Sequence, residues 1–304
     1  MRFAIAIPQF VADGTFNPAG LRAYLARAET LGFDSAWTQE HMLGLGTLPV
    51  LGPIETMTYA AACTERLRVG CAVFVSTLHS PVHLAKSLST LDQLTRGRLD
   101  IGVGGGGGGR MFSAFGIAPD TFVARFVEGL RLMKALWTEP RVTFKGRFFS
   151  LEGAVMEPKP FQKPHPPIWF GANHPAALRR AVRHGTAFFG AGSQTTARFA
   201  EQVRILRDAL VEAGRSPHAF PIAKRVYIAV DDDAARARRR IGAALQGLYG
   251  RDLEAVAVFG PPAACVKGLR EVGEAGARIV LLNPMFDEAE QMERLAADVM
   301  PRLR

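Results

Sequence analysis

The plainest pattern of apolar and polar positions lies between Leu67 and Gly109. Val69 to Val75 is apolar at nearly every position and Leu99 to Val103 repeats that character, while residues 82–95 place Leu84, Leu88, Leu91 and Leu94 at spacings of three and four. A run apolar on both faces suits a parallel strand covered on both sides, and the three-and-four spacing suits a helix laying one stripe on it. Pro81 opens that helix, and Gly97 stands just past its end, where a left-handed residue stops a helix cheaply. The unit is therefore βαβ. Its right-handed crossover brings the ends of both strands to one edge, the edge at which parallel α/β proteins bind ligands. Six glycines, Gly104 to Gly109, follow the second strand, so bare amides stand there without side-chain obstruction.

The rest of the chain alternates in the same way. Arg2 to Ile7 reads as a strand, helix 18–31 carries Leu21, Tyr24, Leu25, Ala28 and Leu31, and FDSAWTQEHM reads as a strand with Glu40 and His41 at its tip. Loop 43–52 is rich in Gly and Pro and long enough for a lid, and helix 53–65 leads into the central unit. After the glycines, RMFSAFG does not open a helix, whereas 120–137 is strongly amphipathic through Phe122, Phe126, Leu130, Met133 and Trp137. A hairpin over Val142 to Leu151 and the proline-rich EPKPFQKPHPP come next. Strands at 168–170, 186–190, 222–230 and 278–282 then alternate with helices at 175–184, 195–213, 232–259 (with a break near Gly247 to Gly250), 262–275 and 287–300. Eight strands alternating with helices predict a single (β/α)8 TIM barrel over 1–304, with an insertion after helix 4 at about 141–166, in preference to a doubly wound sheet.

Composition narrows the function classes. The 304 residues are 48% hydrophobic and 21% charged, enough for a large core, and no linker argues for two domains. No apolar run approaches a membrane span and MRFAIAIPQF lacks a cleavable leader, so the expectation is a cytoplasmic protein without a membrane partner. Cys63, Cys71 and Cys265 show neither CxxC nor metal-ligand spacing and read as buried thiols. The net charge of +9 is spread over several helices without interleaved aromatics. That pattern argues for a solvated basic surface and against a nucleic-acid partner, and is compatible with an anionic small molecule.

Candidate chemistry follows from position. Gly102 to Gly107 formally fits a dinucleotide fingerprint with Glu128 about twenty residues on, but six glycines fit almost any such pattern and Glu128 lies within a helix; no phosphate-binding Gly-Lys-Ser/Thr is present. His41, next to Glu40 at a strand's C-terminal end, is the acid/base candidate, with a hydrogen-bonded structural histidine as its alternative. His79, His83 and His174 lack metal-ligand spacing on one helix face, so no metal is expected. Gly171, Ala172 and Asn173 lie between a strand and a helix N-terminus, where unpaired amides and the helix dipole favour an anion. Gln9 ends the first strand as a possible ligand contact, with loop solvation as the default. Lys224, the sole strand-borne lysine, lacks an obvious partner for aldolase or isomerase chemistry.

The order AIPQ, GFDSAWTQEH, TERLRVGCAVFV, HSPVHLAKSLSTLDQLTRGRLDIGVG, AFG and PKPFQKPHPPIWFGA resembles the bacterial luciferase-like superfamily of flavin- and deazaflavin-dependent oxidoreductases, well over residues 1–190 and by topology beyond. The resemblance implies a (β/α)8 barrel that uses coenzyme F420 or reduced FMN for hydride transfer to or from an organic substrate. It implies that His41 stands beside the ring, that Ala72-Val73 is a non-proline cis peptide supporting the ring face, and that Gly171, Ala172 and Asn173 hold the cofactor phosphate. Gly104, Gly105 and Gly106 then belong to the cofactor site. The glycine run departs from relatives that carry a bulky or acidic residue there; Arg110 after it could contact phosphate or substrate. F420 is favoured over FMN because the carboxylates of its oligoglutamate tail suit a basic rim and a wide glycine-lined mouth. An FMN-dependent monooxygenase is the alternative within the family, and a non-catalytic flavin-binding barrel the alternative outside it. A small-molecule substrate and a homodimer are expected, the latter from the resemblance and from the apolar helices of mid-chain.

Overall fold

The computed structural model describes residues 1–304 except 12–13, 44–47, 107–109 and 251–253, and only the backbone of Arg110. The lid expectation for loop 43–52, the far half of the glycine run and the contacts of the Arg110 side chain thus lie outside the described residues.

Strands β1 (Arg2–Ala6), β2 (Ser35–Thr38), β3 (Arg68–Val75) and β4 (Leu99–Gly104) form the first half of a parallel sheet. The antiparallel pair β5 (Val142–Lys145) and β6 (Ser150–Ala154) stands apart from it. The sheet continues through β7 (Ile168–Phe170), β8 (Ala187–Gly190), β9 (Ile222–Val230) and β11 (Ile279–Pro284), with β10 (Val258–Gly260) between the last two in the chain. β8 pairs with β9, β9 with β11 and β11 with β1, all parallel, so eight strands close into a barrel. The expected (β/α)8 barrel is the observed fold.

Around the barrel lie α1 (Pro18–Thr30), α2 (Pro53–Ala62), α3 (Pro81–Leu94), α4 (Arg110–Ala114), α5 (Phe122–Thr138), α6 (Pro175–His184), α7 (Thr196–Glu212), α8 (Ala234–Tyr249), α9 (Pro262–Glu274) and α10 (Glu288–Arg294). Polar caps open several of them. Asn17 accepts from Gly20 N–H, Ser80 from His83 N–H, Thr195 from Arg198 N–H, and Asp233 from both Ala235 and Arg236 N–H. The apolar stripe of α3 buries Leu84, Leu88 and Leu91 as its spacing predicts, but Leu94 is 68% exposed, because the chain leaves the helix one residue later. Arg96 and Gly97 both take positive φ (52° and 86°), and that turn starts β4.

Two expectations need correction. Residues 258–260 form β10, a short parallel strand added to the end of β9, and not the tail of a helix; α8 stops at Gly250, which has φ +66°. That end is the break expected near Gly247 to Gly250. RMFSAFG does open a helix, the five-residue α4. The dinucleotide reading nevertheless fails, since β4 belongs to a closed barrel and Glu128 accepts the N–H groups of Arg147, Phe148 and Phe149 at 3.0, 2.8 and 2.9 Å, holding the β5–β6 turn.

Alternate residues of the strands meet inside the barrel. Ala4, Trp37, Trp169, Ala187, Phe189, Ala223, Ile279 and Leu281 form one buried cluster, with Trp37 edge-on to Trp169 at 5.7 Å and 4.8 Å from Phe189. That plug seals the middle of the barrel. Gly70 is required there: a Cβ on it would come within 2.6 Å of the Trp37 ring.

Candidate functional site

Above the aromatic plug, the C-terminal ends of the strands enclose three cavities in a row. One of about 540 Å³ is bordered by Gly104, Gly105, Gly106, Gly171, Ala172 and Asn173, together with Val73, Phe122 and Arg180. The second, of about 170 Å³, lies over Ala72 and Val73 and also touches Phe189, Arg225 and Tyr227. The third, of about 580 Å³, is walled by Ile7, Phe10, Leu248 and Met285, with Gln9, Gln39, Arg225, Tyr227, Asn283 and Glu288 as its polar members. Val73, Gly171 and Phe189 are shared by the first two, Arg225 and Tyr227 by the last two, so the three form one trough. Its volume and mixed lining are those of a small-molecule site.

The middle of the trough rests on an irregularity in β3. Pairing with β4 runs Cys71↔Ile101 and then Phe74↔Val103, so Ala72 and Val73 bulge out of the ladder. The Ala72-Val73 peptide is cis, as the family resemblance implies. The glycines around it have a packing reason: a Cβ on Gly104 would meet Val73 Cγ2 at 2.9 Å, one on Gly171 would meet Val73 Cγ1 at 3.1 Å, and one on Gly102 would overlap the Cys71 carbonyl oxygen at 1.9 Å. Gly102 and Gly104 therefore admit the bulge as well as leaving the mouth open. Thr77 Oγ1 donates to Gly105 O at 2.9 Å and fixes the start of the glycine run.

At one end of the trough, the turn after β7 carries Gly171, Ala172 and Asn173 onto the N-terminus of α6. His174 caps that helix, its Nδ1 accepting from Ala176 N–H at 3.3 Å. Gln202 Nε2, from α7, donates to Asn173 Oδ1 at 3.3 Å, which leaves the Asn173 amide N–H groups for the cavity. Arg180, half-buried one turn into α6, has its pKa lowered by burial and by Arg183; no ion pair holds it among the described residues. Sequence reasoning missed Arg180. The signal is in the sequence, since Arg180 lies on the same helix whose N-terminus favours an anion.

At the other end, β9 presents Ala223, Arg225 and Tyr227 inward and turns Lys224 outward. Lys224 Nζ donates to the carbonyls of Ala191 and Gln194 at 3.2 and 2.8 Å, and burial lowers its pKa to about 8. Its hydrogen-bond partners are backbone carbonyls only, and it borders none of the three cavities. Arg225 is the inward cation, and Tyr227 and Asn283 its neighbours along the wall; alternation in IAKRVYIAV and IVLLNP could have found all three. Gln9 is 1% exposed. Its amide donates to Gln39 O and Leu51 O and its carbonyl accepts from Gln39 N–H, so it staples β1 to the 48–51 segment.

Glu40 and His41 part company. The Glu40 carboxylate, fully buried, accepts from Val75 N–H at 2.6 Å and meets His79 Nε2 at 2.8 Å, tying the end of β2 to the end of β3. His41 is half-buried, its ring 5.7 Å from that of Phe10, which walls the large cavity; His41 itself is not among the lining residues. Burial, with the Arg225 charge second, lowers its pKa, opposed by Glu40. Among the described residues, no three His, Cys, Asp or Glu side chains gather where a metal could sit. Nor is any described helix long and apolar enough to cross a membrane.

A closed parallel barrel with a ligand trough at the C-terminal mouth, a bulged third strand beneath it and an anion-ready helix start at one end defines a cofactor-using barrel enzyme. Residues 1–259 match the luciferase-like monooxygenase family, and the chain belongs to it. F420-dependent glucose-6-phosphate dehydrogenase of Kineococcus radiotolerans is 29% identical over 228 residues, 73% of this chain and 67% of that protein. The enzyme of the same name from Beutenbergia cavernae is 28% identical, covering 95% and 94%. The chain spans about half the length of a third, from Amycolatopsis mediterranei, at 31% identity. Among solved structures, monooxygenase RslO1 from Streptomyces bottropensis superposes with a TM-score of 0.85 at 26% identity and full coverage of both chains. An F420-dependent secondary alcohol dehydrogenase shares the fold, with a TM-score of 0.84 at 20% identity, covering all of this chain and 99% of that one.

Proposed function

We propose that this chain is an F420-dependent oxidoreductase that moves a hydride to or from a small organic substrate. The continuous trough carries this reading: a glycine-bordered cavity with Asn173, Arg180 and the start of α6 at one end, the Ala72-Val73 bulge in the middle, and a separate cavity of about 580 Å³ beyond. Those residues fit a planar ring with a phosphorylated tail. Gly171, Ala172 and Asn173 would hold the phosphate with backbone and side-chain N–H groups, and Arg180 would supply charge. Ala72 and Val73 would support the ring, and Gly104, Gly105 and Gly106 would let the tail approach the backbone. Bound there, the deazaflavin supplies the hydride chemistry.

The chain's own task is positioning and proton control. His41, neutral because burial and Arg225 hold its pKa down, takes the substrate proton in the oxidative direction and returns it in the reductive one. Glu40 acts through His79 and Val75 to fix the strand ends on which His41 stands. The F420-dependent relatives and the basic chain support F420 over FMN.

Titration of the apo-protein with F420 and FMN at low and moderate salt tests the choice. F420 is expected to bind more tightly and to lose affinity more steeply as salt rises, since its carboxylate tail is screened. Tight FMN binding with no detectable F420 binding overturns the assignment and makes an oxygen-using monooxygenase the reading. The homodimer is part of the proposal, and a monomer in sedimentation at micromolar concentration would remove it.

A further inference from the structure

Arg225 is 7% exposed and lies where the middle and large cavities meet. Its Nη1 donates to Gln39 Oε1 at 2.5 Å and its Nη2 to Ala72 O at 3.1 Å, but Nε is buried without any partner. Among the described residues, no carboxylate lies within ion-pair distance. Arg125 also has a buried Nε without a hydrogen bond, but its guanidinium stacks on the Phe148 and Phe149 rings, 5.8 and 4.8 Å from their centroids, and Arg68 and Arg98 are fully engaged. Arg68 has Asp100 at 2.7 Å and the carbonyls of Gly97 and Leu99 at 2.9 Å. Arg98 donates to the carbonyls of Thr95, Leu67 and Ala61 and to Thr64 Oγ1. Five N–H donors on a permanent charge make an unpaired buried guanidinium strongly unfavourable, so a fold that keeps one has a use for it.

The surroundings say what that use is. Beyond Arg225 the wall is mixed, with Ile7, Phe10, Leu48, Leu248 and Met285 giving it an apolar stretch, and Glu288, the one acid on it, makes no ion pair with Arg225. We infer that Arg225 recognises an oxyanion carried by the substrate, so that the substrate is an organic acid or phosphate ester whose apolar body fills the cavity of about 580 Å³. The remaining N–H of each terminal nitrogen supplies the donors, and Gln39 and Ala72 O hold the fork in place. This inference rests on the proposed function only in assigning the anion to the substrate.

The test is calorimetric titration of the full-length apo-protein with 2-naphthoate, 2-naphthyl phosphate and the neutral 2-naphthamide. One of the two anions is expected to bind at least tenfold more tightly than the amide, and which one does so separates a carboxylate from a phosphate substrate. Arg225→Met should abolish that preference while leaving naphthamide affinity within about twofold, and Arg225→Lys should restore part of it. Equal affinity for acid and amide in the wild type, no binding of either anion at millimolar concentration, or a preference that survives Arg225→Met overturns the inference. The wild-type comparison stands even if the Met variant fails to fold. F420 and FMN titrated into the same samples keep the two readings apart. Cofactor binding without an anion preference defeats this inference alone, and an anion preference without cofactor binding defeats the proposed function alone. A large loss of cofactor affinity in Arg225→Met with no anion preference assigns the guanidinium to the cofactor instead.

Discussion

The two ends of this barrel are built from the same residue types and treat them oppositely. Toward the N-terminal ends of the strands, Asp100 accepts Arg68 Nε on one oxygen at 2.7 Å and Trp169 Nε1 on the other at 3.1 Å, and the backbone carbonyls around Arg68 and Arg98 take up the remaining donors. At the C-terminal ends, Arg225 keeps an unbonded Nε, Gln202 an unbonded Oε1, and Arg180 has no acid partner among the described residues. Satisfied polar groups specify and stabilise a fold, whereas unsatisfied ones around a cavity are held for a ligand. The floor is where this chain is stabilised; the mouth is where it is left incomplete.

The largest effect should come from breaking the floor. Asp100→Ala leaves the Arg68 charge and the Trp169 N–H without their acceptor, and breaking a buried pair from one side typically costs about 3 to 5 kcal/mol. Arg68 retains some solvent access, its side chain being 28% exposed, so about 3 kcal/mol is expected, read as a fall in the urea midpoint. A change under about 1 kcal/mol would show that the floor network contributes little. Folded Asp100→Ala protein should bind cofactor as the wild type does.

His41→Ala is the converse test at the mouth. Turnover should fall about 100-fold, the usual range for a lost acid/base group, while circular dichroism and cofactor affinity stay near wild type. A variant that fails to fold would make His41 structural. The pH profile sharpens the point. With its pKa lowered by burial and by Arg225, His41 needs its neutral form in the oxidative direction, so kcat/KM should fall on the acid side with a midpoint below the ordinary 6.5. Arg225→Met should move that limb up toward 6.5, and His41→Ala should remove it. The same shift has a stability sign. The unfolded chain takes up the proton first, so the contribution of His41 to stability is complete above pH 6.5 and declines as pH falls through the folded value.

How far the sequence reveals each end also differs. The barrel was legible, because strand and helix periods alternate cleanly and α7 buries Phe199, Val203, Leu206 and Leu210 as its spacing requires. Residues 258–260 were not: a three-residue apolar run directly after a helix has no period of its own, and only pairing with Ile228 to Val230 makes it a strand. The glycines were legible as an opening but not as a fit to Val73, a contact across strands that spacing does not encode. Arg225 was passed over in favour of Lys224, one residue away. In a strand, one residue decides between the barrel interior and the helix layer, and Ala223 in the aromatic plug fixes which is which.

The smallest expected effect tests whether Arg180 is held for a ligand at all. It lies half-buried beside Gly171 to Asn173, and charge-assisted contact with a phosphate is worth about 1.5 kcal/mol, or roughly tenfold in affinity, before solvent screening is counted. Arg180→Gln should therefore weaken cofactor binding by about fivefold at low ionic strength and by less at moderate salt, where the Debye length shortens to about 10 Å. Asn173→Ala removes a neutral donor from the same cavity, so its loss should be similar at both salt concentrations. The contrast between the two variants is the useful quantity, because a general disturbance of α6 would weaken binding equally at either salt. If Arg180→Gln leaves the affinity for both F420 and FMN unchanged, the phosphate is held by the turn and the start of α6 alone, and Arg180 belongs with the solvated cations of the surface.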